Sequence, residues 1–169
     1  MDKVIFTSEF SRESFANIQF DKLDNKTKKV EGILRLEKPT DVLFEGADTN
    51  VYKETKEISE KLNQKFSKIK EVFCFLFVGH WLSGNLGEDR KDIGMMLKVF
   101  YTMFKNQKNP PALILKTSGA GFSIMDRNEM MKKINLVKDS MKVDKLPNVY
   151  LLHGDLTDEE MNQMYNHPK

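Results

Sequence analysis

The chain has 169 residues, 40% of them hydrophobic and 31% charged, with a formal net charge of +2. That suits one soluble domain, or one with a fragment of another, and a charge so close to balance lends no support to a general nucleic-acid or membrane-surface role. The single cysteine, Cys74, excludes a disulfide framework and fits a reducing, cytoplasmic compartment. The first residues lack a basic region followed by an apolar core, and no apolar run approaches the roughly 20 residues that span a bilayer, so neither a signal peptide nor a membrane span is expected.

Residues 3–7 read as a short strand without an obvious partner, and Ser8, Glu9 and Ser11 offer caps for a short helix through Phe15. The charged stretch 21–31 reads as a solvated loop, with a weak strand around Ile33, Leu34 and Leu36. After Pro39 a strand is predicted at 41–44, with a turn at Gly46-Ala47-Asp48. From Lys53 to Lys70, Ile58, Leu62, Phe66 and Ile69 recur at helical spacing and predict a connector helix packed by one stripe.

The stretch Glu71–Gly94 organises the rest of the chain. An apolar strand at 72–78 holds Cys74 as a core thiol; a loop with Gly79, Gly84 and Gly87 leads into a helix at about 91–106. Ile93, Met96, Leu97, Phe100 and Phe104 mark one face of that helix. Asn109-Pro110-Pro111 ends the unit, 112–118 is the next strand, and Ser118–Ser123 is a second glycine-bearing loop. A helix at about 127–142 comes next, with Asp126 and Glu129 at capping-box spacing. Pro147 precedes a third strand, and Thr157 to Glu160 cap a last helix that turns Met161, Met164 and Tyr165 inward. The order β-α-β-α-β-α predicts parallel strands with right-handed crossovers, the first half of a doubly wound, Rossmann-like sheet. The first strand of such a sheet has neighbours on both sides. Here only one is supplied, so 73–78 is expected to form an exposed apolar edge, and the chain to belong to a larger fold or to complete its sheet with another chain.

Arg90 and Lys91 fall at the expected start of the helix after the first strand, where free backbone N–H groups favour an anion. Together they suit a diphosphate; the bland alternative is a solvated rim beside Glu88 and Asp89. Neither the P-loop spacing nor G-x-G-x-x-G is present. His80 and Trp81 follow the strand at its carboxyl end, where His80 would reach a phosphate or sugar hydroxyl and Trp81 would stack on a ring, or both would simply pack the loop. Lys116, Ser118, Gly119 and Gly121 stand at the corresponding place after the second strand, with an exposed strand-end lysine as the plain reading of Lys116. His153 and Gly154 stand there after the third. Gly79, Gly119 and Gly154 thus converge on one sheet edge. His80, His153 and His167 lack paired metal-ligand spacing, so no metal is assigned, and Asp155, Asp158, Glu159 and Glu160 are explained by capping.

These residues carry a resemblance. FVGHWLSGNLGEDRKDIGMMLKVF, PALILKTSGAG and PNVYLLHGDLTDEEMNQMY together resemble the nucleotide-sugar-binding domain of GT-B glycosyltransferases, nearest the glycogen-synthase-like retaining group and its phage-encoded versions. Val78-Gly79, Lys91, Val99-Phe100, Gly154 and Met164-Tyr165 match the family pattern. VIFTSEFS resembles the last strand of the acceptor domain, and VLFEGADTNVY the interdomain segment. The resemblance implies three parts: 1–38 as the end of an acceptor domain, 39–70 as interdomain segment and connector helix, and 71–169 as the first half of the donor domain. It implies sugar transfer from a nucleotide-activated donor to an acceptor without a metal or other cofactor. Gly79, His80, Arg90, Lys91, Lys116, Ser118, Gly119, His153 and Gly154 would line the donor. His80 replaces the family's arginine, whose charge Arg90 would supply. The family's catalytic glutamate pair has no counterpart here, so no catalytic residue is assigned, and weak donor binding with little or no turnover is expected of this chain alone. Two other readings stand beside this one. One is a non-catalytic nucleotide-binding or interaction module of the same fold; the other is a Rossmann-like enzyme acting on another phosphorylated substrate.

Overall fold

A computed structural model describes residues 2–82, 87–119 and 121–169; the loop glycine Gly84 falls outside the described residues. The chain divides into two compact units, residues 1–50 and 51–169. That division lies between the boundaries expected at 38/39 and 70/71, because Leu62, Phe66 and Ile69 pack with Ile114 and Met164 in one core cluster.

In the first unit, β1 (Val4–Phe6) leads into α1 (Glu9–Ala16), whose start is capped by Ser8. The Ser8 hydroxyl accepts the Ser11 amide hydrogen bond at 3.1 Å, as the sequence predicted. The strands β2 (Gln19–Leu23) and β3 (Val30–Arg35) form an antiparallel hairpin, which corrects the solvated loop expected at 21–31. Its turn is built by Asp24, whose carboxylate accepts from the Lys26 amide and the Thr27 hydroxyl at 3.1 and 2.7 Å. All but one of the hairpin's strand residues are exposed, so the pairing leaves no apolar alternation in the sequence. β4 (Thr40–Val42) pairs in parallel with β1, supplying the partner that residues 3–7 were expected to lack.

The second unit contains α2 (Glu60–Phe66), β5 (Cys74–His80), α3 (Ile93–Phe104), β6 (Ala112–Ser118), α4 (Ile124–Ser140), β7 (Val149–Leu151) and α5 (Asp158–Tyr165). The three strands form a parallel sheet in the order β5-β6-β7, a mixed α/β arrangement with the alternation the sequence predicted. β6 is central and almost wholly buried. Its odd-numbered residues, Leu113 and Leu115, join Ile93, Leu97, Tyr101, Met130 and Ile134 in a core under α3 and α4. Its even-numbered Ile114 joins the cluster under α2 and α5. Among the described residues β5 has a neighbour on one side only, and Phe75 and Leu76 remain 43% and 38% exposed, as expected for an unpaired apolar edge. Cys74 is half-buried, and burial pushes its thiol pKa up, toward the inert form. Among the described residues no helix is long and apolar enough to cross a membrane.

Two helices differ from expectation for visible reasons. The connector helix occupies 60–66 rather than 53–70. Side-chain amides of α5 and its C-cap take the preceding backbone instead: Asn162 accepts from Lys53 N–H, Asn166 from Thr55 N–H and Gln163 from Ser59 N–H, at 3.2, 3.3 and 3.0 Å. The helix α4 begins three residues early. Its cap is Ser123, which accepts the Asp126 amide at 3.1 Å, so Asp126 sits in the first turn and its carboxylate is free for other work.

Glu71 ties the chain before β5 to β7. Its two oxygens accept from Asn148 Nδ2 at 2.6 Å and the Tyr150 hydroxyl at 3.1 Å. Burial acts to raise the Glu71 pKa, but the bonds from Asn148, Tyr150 and the backbone outweigh it and hold the group below the usual glutamate value. A carboxyl lowered in this way adds stability above its unfolded pKa and loses it as pH falls through the lowered folded value. Glu71→Gln is therefore expected to lower the urea midpoint at neutral pH, with the gap to the parent chain closing as acid protonates Glu71. A gap of constant size down to the acid limit would mean that packing, not charge, carries the contribution.

Candidate functional site

The carboxyl ends of the three strands meet at one sheet edge. The register sets Gly79 beside Thr117 and His80 beside Ser118. On the α5 side, a cleft of about 270 Å³ is lined by Tyr52, Gly79, His80, Lys116, Ser118 and Asp155, with Asp158 at its rim. Four of the residues singled out in the sequence therefore share one cavity. His80 is exposed, and its Nδ1 lies 3.2 Å from Ser118 Oγ, which fixes the ring beside the strand end. Lys116 bends along the edge and donates to the Gly154 carbonyl at 2.6 Å, with its ammonium 5.5 Å from the centre of the Phe122 ring. Burial lowers the Lys116 pKa, the Asp155 carboxylate works against that, and the Lys65 charge adds to it. Gly154 presents its carbonyl from φ +115°, a conformation that strains any side chain. Across the cleft the Tyr52 hydroxyl donates to Asp158 at 2.8 Å, a bond that raises the Tyr52 pKa.

Lys91 reaches the same edge from the opposite face. A Cβ on Gly79 would lie 2.7 Å from its Nζ, so the lysine crosses the strand end in the space the glycine leaves. Its ammonium also lies 6.0 Å from the Phe77 ring centre. Arg90 is exposed in the turn before α3. The start of α3 itself is occupied. Asp89, 6% exposed, accepts from the Ile93 amide at 3.1 Å and the Lys91 amide at 3.2 Å. Its carboxylate stands where an anionic ligand was expected to meet the helix dipole, so a phosphate here relies on the lysine rather than on the helix end.

Gly119 and His153 are held away from the cleft by a third group. Asp126 accepts the Gly119 amide at 2.9 Å, and its other oxygen lies 2.7 Å from His153 Nε2. A Cβ on Gly119 would collide with the same carboxylate. The pair is nearly closed to solvent, with side chains 6% and 12% exposed. The Gly119 amide is thus taken by the protein's own acid. Trp81, read as either a stacking platform or loop packing, is 4% exposed and part of the core under α3 and α4. Gly121 lines a wider depression of about 960 Å³ on the α4 side, together with Trp81, Ser123, Asp126 and Lys133.

Sequence reading missed Tyr52, Asp89 and the second role of Asp126. The spacing Ser123-x-x-Asp126 offered Ser123 as an alternative cap, which takes Asp126 out of the cap position itself. Among the described residues no three His, Cys, Asp or Glu side chains converge to hold a metal ion. What the chain presents is a parallel α/β sheet with a polar cleft at the carboxyl ends of its strands. No protein-family model, curated protein or solved structure matches it.

Proposed function

We propose that residues 51–169 form the Rossmann-like donor-binding part of a GT-B-type glycosyltransferase, holding a nucleotide-activated sugar for transfer to an acceptor. The observation that carries this reading is the Lys91 ammonium lying across Gly79, with His80, Lys116 and Ser118 on the adjoining strand ends. A diphosphate over Gly79 would meet Lys91 from one face, while His80 and Ser118 offer hydrogen bonds to its oxygens or to a sugar hydroxyl from the other. Arg90, exposed one residue away, would add charge without a fixed contact. Asp155 and Asp158 repel phosphate and suit ribose or sugar hydroxyls, which orients a nucleotide sugar along the cleft.

The reading is tested by calorimetric titration of the chain with nucleoside diphosphates and their sugars. Lys91→Ala is expected to weaken the best of these about tenfold, the scale of one charge-assisted contact, with the melting temperature unchanged because Lys91 is exposed. Absence of heat from every nucleotide, or equal affinity in the variant, would refute the assignment. A second reading, a nucleotide-binding module without transfer activity, is favoured by Asp89, which already fills the start of α3 and leaves less of the site open to a strongly held anion. Binding of a nucleoside diphosphate with no dependence on its sugar would favour the module.

A further inference from the structure

We propose that the cavity along the free edge of β7 is a second binding site, for a small molecule that joins an apolar ring to a phosphate or carboxylate. The cavity measures about 300 Å³ and is lined by Lys65, Lys68, Arg127 and His153 above a floor that includes Phe66 and Ile114. Among the described residues no carboxylate lines it. Three permanent cations around an apolar floor make a poor place for water alone and a good one for an amphipathic anion.

The backbone adds donors. The Leu113 amide donates to Asn148 O, and the Leu152 amide to Leu115 O. Asn148, Tyr150 and Leu152 therefore face β6, and the alternation turns the Leu151 and His153 amides outward, where no hydrogen bond is described for either. Both residues line the cavity. The nearby acids are already engaged. Asp126 holds His153 Nε2 and the Gly119 amide. Glu71 takes the Asn148 side-chain amide and the Tyr150 hydroxyl. The positive charge of Lys65, Lys68 and Arg127 is thus met by no ion pair among the described residues, although elsewhere Lys3, Lys22, Lys61 and Lys133 each have a carboxylate within 4.0 Å. The cavity lies on the edge strand, away from the Gly79–Lys91 crossing, and the proposal does not rest on the nucleotide reading.

The test uses the whole chain, isotope-labelled, titrated with phenyl phosphate, inorganic phosphate and benzyl alcohol as probes. Phenyl phosphate is expected to shift the amide resonances of Leu151, Leu152 and His153 in a saturable way. Inorganic phosphate should compete more weakly, and benzyl alcohol should leave those amides unmoved. Charge reversal at the three exposed cations, K65E/K68E/R127E, is expected to weaken phenyl phosphate at least tenfold, while melting stays close to the parent because all three side chains are exposed. Shifts confined to other surfaces would overturn the proposal, as would unchanged affinity in the reversed variant. Should the triple variant unfold, the milder K68Q and R127Q variants carry the same test, each with an expected threefold loss.

Discussion

Asp126→Ala is expected to lower the unfolding free energy by about 2–4 kcal/mol, the largest effect of any single polar change in the second unit. The carboxylate serves two part-buried partners at once. Without it the Gly119 amide and His153 Nε2 each lose their only described bond, and the His153 side chain, 6% exposed, sits where water reaches poorly. The loss would be felt at the seams between β6, α4 and the segment after β7, since one side chain joins all three. Asp126→Asn keeps the shape and one acceptor oxygen, and is expected to lose about half as much. Urea denaturation followed by the fluorescence of the one tryptophan measures both. A double-mutant cycle with His153→Ala separates the pair from the cap: coupling near zero would sink the claim that the two side chains act as a unit.

Much of this arrangement is visible in the chain before folding, and the part that is not has a physical cause. The sequence of 71–165 announces its elements because buried strands need unbroken apolar runs and amphipathic helices need one stripe; Leu113, Leu115, Ile93 and Leu97 obey both rules and are all at most 3% exposed. The hairpin at 19–35 is invisible for the converse reason, since an exposed two-stranded ribbon leaves no burial pattern to read. Helix periodicity at 53–59 misled because Asn162, Gln163 and Asn166, more than a hundred residues later, offer the backbone other partners. The site was legible as a place, because strand ends in such sheets converge, and as a set of glycines, because only Gly79 leaves room for Lys91. Who bonds whom was not. Asp89 read as part of a solvated rim and Asp126 as a helix cap, and only three-dimensional closure shows that one fills the dipole position and the other locks His153.

Trp81→Ala is expected to cost about 3–5 kcal/mol, as for other large aromatic truncations in a core. The ring is enclosed with Ile93, Leu97, Tyr101, Leu115 and Met130. Its backbone is fixed as well: the amide donates to Ser118 O at 2.8 Å, and Lys133 Nζ donates to the carbonyls of Trp81 and Leu82 at 3.3 and 3.1 Å. The same ammonium lies 5.5 Å from the ring centre, adding a cation–π attraction. Trp81 therefore anchors the exit of β5 to β6 and α4, immediately before the loop that leads to Lys91. Trp81→Phe retains most of the apolar contact and is expected to lose only about 1–2 kcal/mol, measured by far-ultraviolet circular dichroism because the fluorescent reporter is gone. The pair also separates anchoring from ligand stacking. If the ring only anchors, Trp81→Phe binds nucleoside diphosphates as the parent does while melting earlier. A variant of undiminished stability that loses nucleotide affinity would place the indole against the ligand and remove it from the core.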